Sequence, residues 1–160
     1  MRSKSTWLLI LALGLLMAAP AVLIADDDGD DLPAGPIRDR HWLMESMGDE
    51  AEDIKEAFSI GAEGFDTEII QRSANAIAQN AHRMPSLFPK GSTDPKSDAL
   101  PAIWENWDKF VQLAKDLEDK AQKLSLAAAS EDDENLQEKS KAVFANCKSC
   151  HDQFRKQDKD

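Results

Sequence analysis

Apolar residues recur at alternating spacings of three and four through four stretches of the chain, the mark of amphipathic helices. The first stretch, Ile37 to Ile60, places Ile37, Arg40, Met44, Met47, Ala51, Ile54 and Phe58 on one stripe, with Arg40 its one charged member. Gly61 to Gly64 supplies the connection. The second stretch, Asp66 to Arg83, turns Ile69, Ile70, Ser73, Ile77, Asn80, Ala81 and Met84 inward. Asp66 or Thr67 is placed to cap it, and Pro85 to end it. A loop rich in Pro, Gly and Ser runs on to Pro101, a residue suited to a first helical turn. The third stretch, Ala102 to Ala129, repeats Ile103, Trp107, Phe110, Ala114, Leu117, Ala121, Leu124 and Ala128, with apolar residues at both seam sites of successive heptads. A turn at Glu131 to Asn135 follows, and its acids favour the next helix start. The fourth stretch, Glu134 to Gln157, sets Leu136, Ser140, Val143, Cys147, Cys150 and Phe154 on one seam. No alternating run of useful length argues for strands. Short connections join the first helix to the second and the third to the fourth. The pattern predicts an all-α fold, an antiparallel up-down-up-down four-helix bundle.

The last seam carries the chemistry. The chain's only two cysteines stand in Cys147-Lys-Ser-Cys150-His151. On a helix they lie about one turn apart on one face. Each thiol can add to one vinyl group of a porphyrin, and His151 offers an axial nitrogen to the iron from the same side. The run is the attachment signature of c-type haem, so one covalent haem c is expected. Three other readings compete. A disulfide across two residues closes a very short loop and stabilises little. A thioredoxin-like redox pair needs a βαβ context. A zinc site needs four ligands, and only His41 and His82 remain to join this cluster.

The N-terminus fits an exported protein. Arg2 and Lys4 precede an apolar run from Trp7 to Ala25, and Ala19-Pro-Ala21 offers a small-residue cleavage site. Residues 1–25 therefore read as a signal peptide; the run is also nearly long enough to be an uncleaved membrane anchor. Either way the working domain is expected in the periplasm, soluble or tethered to the inner membrane. Residues 26–36 are acidic and contain Pro and Gly, which predicts a flexible linker. Residues 37–160 are then one domain, long enough for a single core. The net charge is −11; loss of Arg2 and Lys4 leaves 17 basic against 30 acidic residues, a net of −13. Such a surface disfavours nucleic acid and anionic lipid.

These residues resemble the cytochrome c′ family, the class II c-type cytochromes, from about Arg38 to Arg155. The first helix carries Arg40-His-Trp-Leu-Met44, similar to the family's Arg-Gln-x-x-(Leu/Met). The long second connection reads Met84-Pro-Ser-Leu-Phe-Pro-Lys-Gly-Ser92 and then Ala99-Leu-Pro-Ala-Ile-Trp104. The haem motif is C-terminal and runs into Asp-Gln-Phe-Arg155, whereas class I cytochromes carry theirs near the N-terminus. The resemblance implies that Cys147 and Cys150 bind haem covalently, that His151 is the proximal ligand, and that Arg40 pairs with a propionate. It also implies that Arg155 sits near the proximal face and that Phe88 covers a haem edge. The alternatives are a snorkelling Arg40, a surface Arg155 and a Phe88 that merely packs its loop. His41 stands where glutamine is common. Off the stripe, it reads as a polar edge residue, beside a propionate or facing solvent. His82 reads as a surface residue, Met47 as core, and Trp42, Trp104 and Trp107 as packing around the bundle end.

Met44 matches the family's distal position. Bound to iron, its thioether would make a six-coordinate, low-spin haem with a raised potential, as in the methionine-ligated branch. Merely packed over the iron, it would leave a five-coordinate haem in an apolar pocket open to NO or CO. The expected function is single-electron transfer through Fe(III)/Fe(II) cycling, with a redox protein as donor or acceptor; gas binding is the alternative. No acid, base or nucleophile constellation marks an enzyme. A homodimer through the first two helices is a family-level expectation.

Overall fold

A computed structural model describes residues 32–59, 65–130 and 133–157. Five helices follow in order: α1 (Pro36–Ala57), α2 (Thr67–Arg83), α3 (Ala102–Glu105), α4 (Trp107–Ala129) and α5 (Asp133–Phe154). α1, α2, α4 and α5 are the four long helices that the periodicity predicts. The signal or anchor segment, the connection at 60–64 and the turn residues 131–132 lie outside the described residues. Among the described residues, no helix is long and apolar enough to cross a membrane.

The direction of each helix can be read from its side-chain bonds. Ser46 pairs with Asn80, and Asp53 with Arg72, so α1 and α2 run antiparallel. His82 meets Glu118, and Gln71 meets Ser125, which sets α4 antiparallel to α2. The core lies along these seams, where Leu43, Ile54, Ile70, Ile77, Leu124, Leu136 and Val143 are almost wholly buried. Each such side chain contributes about 1.5–3 kcal/mol on leaving water.

Local chemistry sets the helix ends. Asp66 caps α2 by accepting the N–H of Ile69 at 3.1 Å. Pro85 does not stop the chain at once; it sits inside a 3-10 turn, Met84–Leu87. The predicted third helix is broken. Asn106 leaves helical geometry (φ −125°, ψ 46°), and its backbone N–H and Nδ2 both donate to the carbonyl of Ala102. An asparagine amide that competes for backbone partners ends α3 and restarts the chain as α4. Trp107 is 37% exposed yet packs its ring against the buried Phe110 at 5.5 Å, around the bundle end as expected, while Trp42 is 42% exposed. Trp104 is anchored, its Nε1 donating to the carbonyls of Phe88 and Pro89.

The end of the expected linker is docked. Leu32 is buried, and its carbonyl accepts both Nε and Nη2 of Arg38 at 3.2 and 2.9 Å. Gly35, at φ +104°, makes the bend from this segment into α1.

Candidate functional site

α1 packs on α2, α2 on α4, and α4 on α5. No packing seam of that kind joins α1 to α5 among the described residues; a cleft lies between them. Helix α1 therefore serves two surfaces. Leu43, Met47, Ile54 and Ala57 enter the core, while Arg40, His41, Met44 and Gly48 line the cleft. The single stripe read from the sequence merged these faces and missed Leu43.

The cleft has a volume of about 660 Å³, within the usual range for cofactor sites. Arg40, Met44, Phe88, Cys150, His151 and Arg155 all line it. An adjoining cavity of about 300 Å³ brings in Cys147 and is otherwise mostly apolar, with Met44, Met47, Met84, Leu117 and Phe144. Every residue singled out for the site thus meets at one place, although α1 and α5 are about a hundred residues apart in sequence.

Cys147 and Cys150 are half-buried and free, with no disulfide between them. Burial pushes both thiols up, Cys150 to about 11 with Cys147 adding to the effect. His151 is half-buried and its pKa lies below the ordinary imidazole value, chiefly because burial disfavours its cation. Arg155 adds to that shift and Asp152 opposes it. The result is a neutral imidazole with a lone pair to offer. Among the described residues, no three His, Cys, Asp or Glu side chains gather as a metal-binding group, so the zinc alternative lacks its further ligands.

Arg40 is 3% exposed. Nη1 donates to Ser92 Oγ at 2.9 Å and Nη2 to Ser97 Oγ at 2.8 Å, and the guanidinium lies 5.0 Å from the Phe88 ring centroid. Burial lowers its pKa, and the field of Asp94 partly offsets the effect. A buried cation whose bonded partners are two neutral hydroxyls calls for an anion. Phe88 is itself buried and packs edge-on against Phe110 at 4.8 Å. Arg155 is more exposed and pairs with Asp98 at 3.8 Å. His82 is a surface residue, held by Glu118 at 3.1 Å. His41 lines the cleft, yet its Nε2 is buried without a hydrogen-bond partner.

Sequence reasoning missed several parts of this site. A strap, residues 88–101, ties its edges together. Ala99 and Arg155 form an isolated bridge, Leu100 N–H donates to the Phe154 carbonyl at 2.9 Å, and Lys156 N–H to that of Asp98 at 2.8 Å. Asn146, just before the first cysteine, is buried and bonded to α4. Its polar type on a buried position was the available signal.

The family model described as Cytochrome C' matches residues 35–155. The chain belongs to the cytochrome c′ family. A cytochrome c′ of Rhodopseudomonas palustris is 36% identical over 125 residues, covering 74% of this chain and 80% of that one. The solved cytochrome c′ of Rhodopseudomonas palustris gives a TM-score of 0.68 at 34% identity, over 79% of this chain and all of that one. A nitric oxide complex of a cytochrome c prime mutant from Alcaligenes xylosoxidans gives 0.63 at 25%, over 78% and 98%. The architecture is therefore the family's four-helix bundle.

Cytochrome c′ proteins bind one covalent haem c, and the residues present fit it. Of two free thiols one turn apart, Cys150 lines a cleft of cofactor size and Cys147 the cavity adjoining it. A neutral imidazole adjoins them. At the other edge, a buried guanidinium and an orphaned His41 nitrogen suit the carboxylates of such a group.

Proposed function

We propose that this cytochrome c′ family protein is a periplasmic single-electron carrier and not an enzyme. Its haem, when bound, supplies a one-electron Fe(III)/Fe(II) couple. Cys147 and Cys150 would hold the group through thioethers, each S–H adding across a vinyl C=C with no net oxidation. His151 would give the proximal nitrogen. Arg40 would neutralise a carboxylate that otherwise sits in a buried edge. Phe88 and Phe110 wall off water there, and Arg155 would place a cation near the proximal side. A redox protein is the partner, with the acidic surface steering a basic one. A homodimer through α1 and α2 fits the exposed indole of Trp42 on α1.

The observation that carries this reading is the opposition of Met44 on α1 to Cys150 and His151 on α5 across one cleft. Met44 would hold the iron from the distal side, and a thioether there would raise the potential and close the site to other ligands. The optical spectrum tests it. A reduced protein with sharp α and β bands that ignores CO is expected, and Met44→Ala should turn it high-spin. A low-spin spectrum kept by Met44→Ala would reject Met44 as the ligand.

The second reading is binding of NO or CO. It is favoured by the apolar wall of Met44, Met47, Met84, Leu117 and Phe144, and by the nitric oxide complex of the Alcaligenes xylosoxidans relative. A broadened high-spin spectrum in the native protein, shifting on CO addition, would decide for it.

A further inference from the structure

The strap supplies a polar group that the fold's chemistry leaves unused. Ser97 is 8% exposed, sits on the wall of the cleft beside Arg40, and comes from a segment 57 residues away in sequence. Its Oγ accepts two hydrogen bonds, from Arg40 Nη2 at 2.8 Å and from the Ala99 N–H at 3.3 Å. A hydroxyl has two acceptor lone pairs and one proton. Both lone pairs are occupied, so the remaining capacity of Ser97 is that of a donor. The Arg40 cation polarises the O–H further and strengthens it as one. Ser92 differs: it takes the other Arg40 nitrogen but does not line the cleft.

We propose that Ser97 is a carboxylate-binding residue of this site, donating its hydroxyl proton to the same propionate that the neighbouring Arg40 guanidinium pairs with. The two form one clamp, in which Arg40 gives charge and Ser97 gives direction. The strap is thereby part of the cofactor site. Its backbone holds Ser97 in place, with Ser97 N–H donating to the Asp94 carbonyl at 3.0 Å and Lys156 N–H fastening Asp98 next door at 2.8 Å. The proposal rests on haem occupying the cleft with a carboxylate edge toward Arg40.

Resonance Raman spectroscopy of the haem-loaded protein tests it, because the propionate bending band reports hydrogen bonds to the carboxylate. Ser97→Ala should move that band to lower frequency and lower the reduction equilibrium constant, while Ser86→Ala, an exposed control, should move neither. Ser97→Thr should keep the native band and Ser97→Val lose it; this isosteric pair decides the matter if the alanine variant loads poorly. In an Arg40→Gln background the loss on removing the Ser97 hydroxyl should persist. An unchanged band in Ser97→Ala or Ser97→Val overturns the proposal. So does a shift that vanishes without Arg40, since Ser97 would then only position the guanidinium. Failure of the wider reading looks different: Arg40→Gln would leave the band in place, or the purified protein would contain no haem.

Discussion

Asn146 offers a clean test of what docks the haem-bearing helix. It stands immediately before Cys147 and is 5% exposed. Nδ2 donates to the Leu113 carbonyl at 3.0 Å, and Oδ1 accepts from Lys120 Nζ at 2.6 Å. Both partners lie on α4, so one side chain bridges the two helices beside the attachment site. Asn146→Ala removes a neutral bond worth about 1 kcal/mol and one to a charged group worth about 1.5–3 kcal/mol. Lys120 is only half-buried and regains part of its loss from water, so the expected net cost is about 2–3 kcal/mol. With a urea slope of about 1–3 kcal/mol per molar, the unfolding midpoint should drop by roughly 1 M or more. Lys120→Met removes the charged bond alone. Circular dichroism through urea titrations of the wild type, both single variants and the double variant gives the coupling, expected at about 1–2 kcal/mol. A coupling under about 0.5 kcal/mol would refute the bridge, for the two sites would then be independent.

Arg40→Met should have opposite consequences with and without cofactor. In the haem-free protein it removes a buried cation with hydroxyl partners and should be neutral or stabilising; in the loaded protein it strands a carboxylate and should cost about 3–5 kcal/mol. Equal shifts in Tm in the two forms would contradict this. The thiol of Cys150, raised from 9.0 to about 11, should make native haem-free protein carry about a hundredfold less thiolate at this residue than the unfolded chain, seen as slow iodoacetamide alkylation at pH 8. The sign follows: the unfolded state loses this proton first, so haem-free stability is intact below about pH 9 and falls as pH rises towards about 11.

Helix periodicity carried most of the fold because apolar spacing is a local property, and α2 and α5 bury the faces that it names. The motif at Cys147, Cys150 and His151 was likewise legible, since its chemistry lies within five residues. What was not legible is long-range or two-faced. Leu43 was missed because α1 meets the core with one face and the cleft with another, and the stripe averaged the two. Ser92 and Ser97 reach Arg40 across 52 and 57 residues, and nothing in the spacing of a Pro- and Gly-containing loop announces a partner so far away. His41 read as an edge residue because it lies off the apolar stripe; that its Nε2 is buried and unpartnered depends on the cleft beside it. At Asn106 a backbone kink and an amide bond to the Ala102 carbonyl interrupt a strong heptad pattern, and the spacing of apolar residues does not announce them.

The most direct test is the intact mass of the protein isolated from the periplasm of a haem-competent host, with the Cys147→Ser/Cys150→Ser variant beside it. The account predicts the polypeptide plus one haem for the native chain, stable to denaturation, and the bare polypeptide for the variant. A native chain at bare mass, with its thiols free or joined to each other, would contradict it.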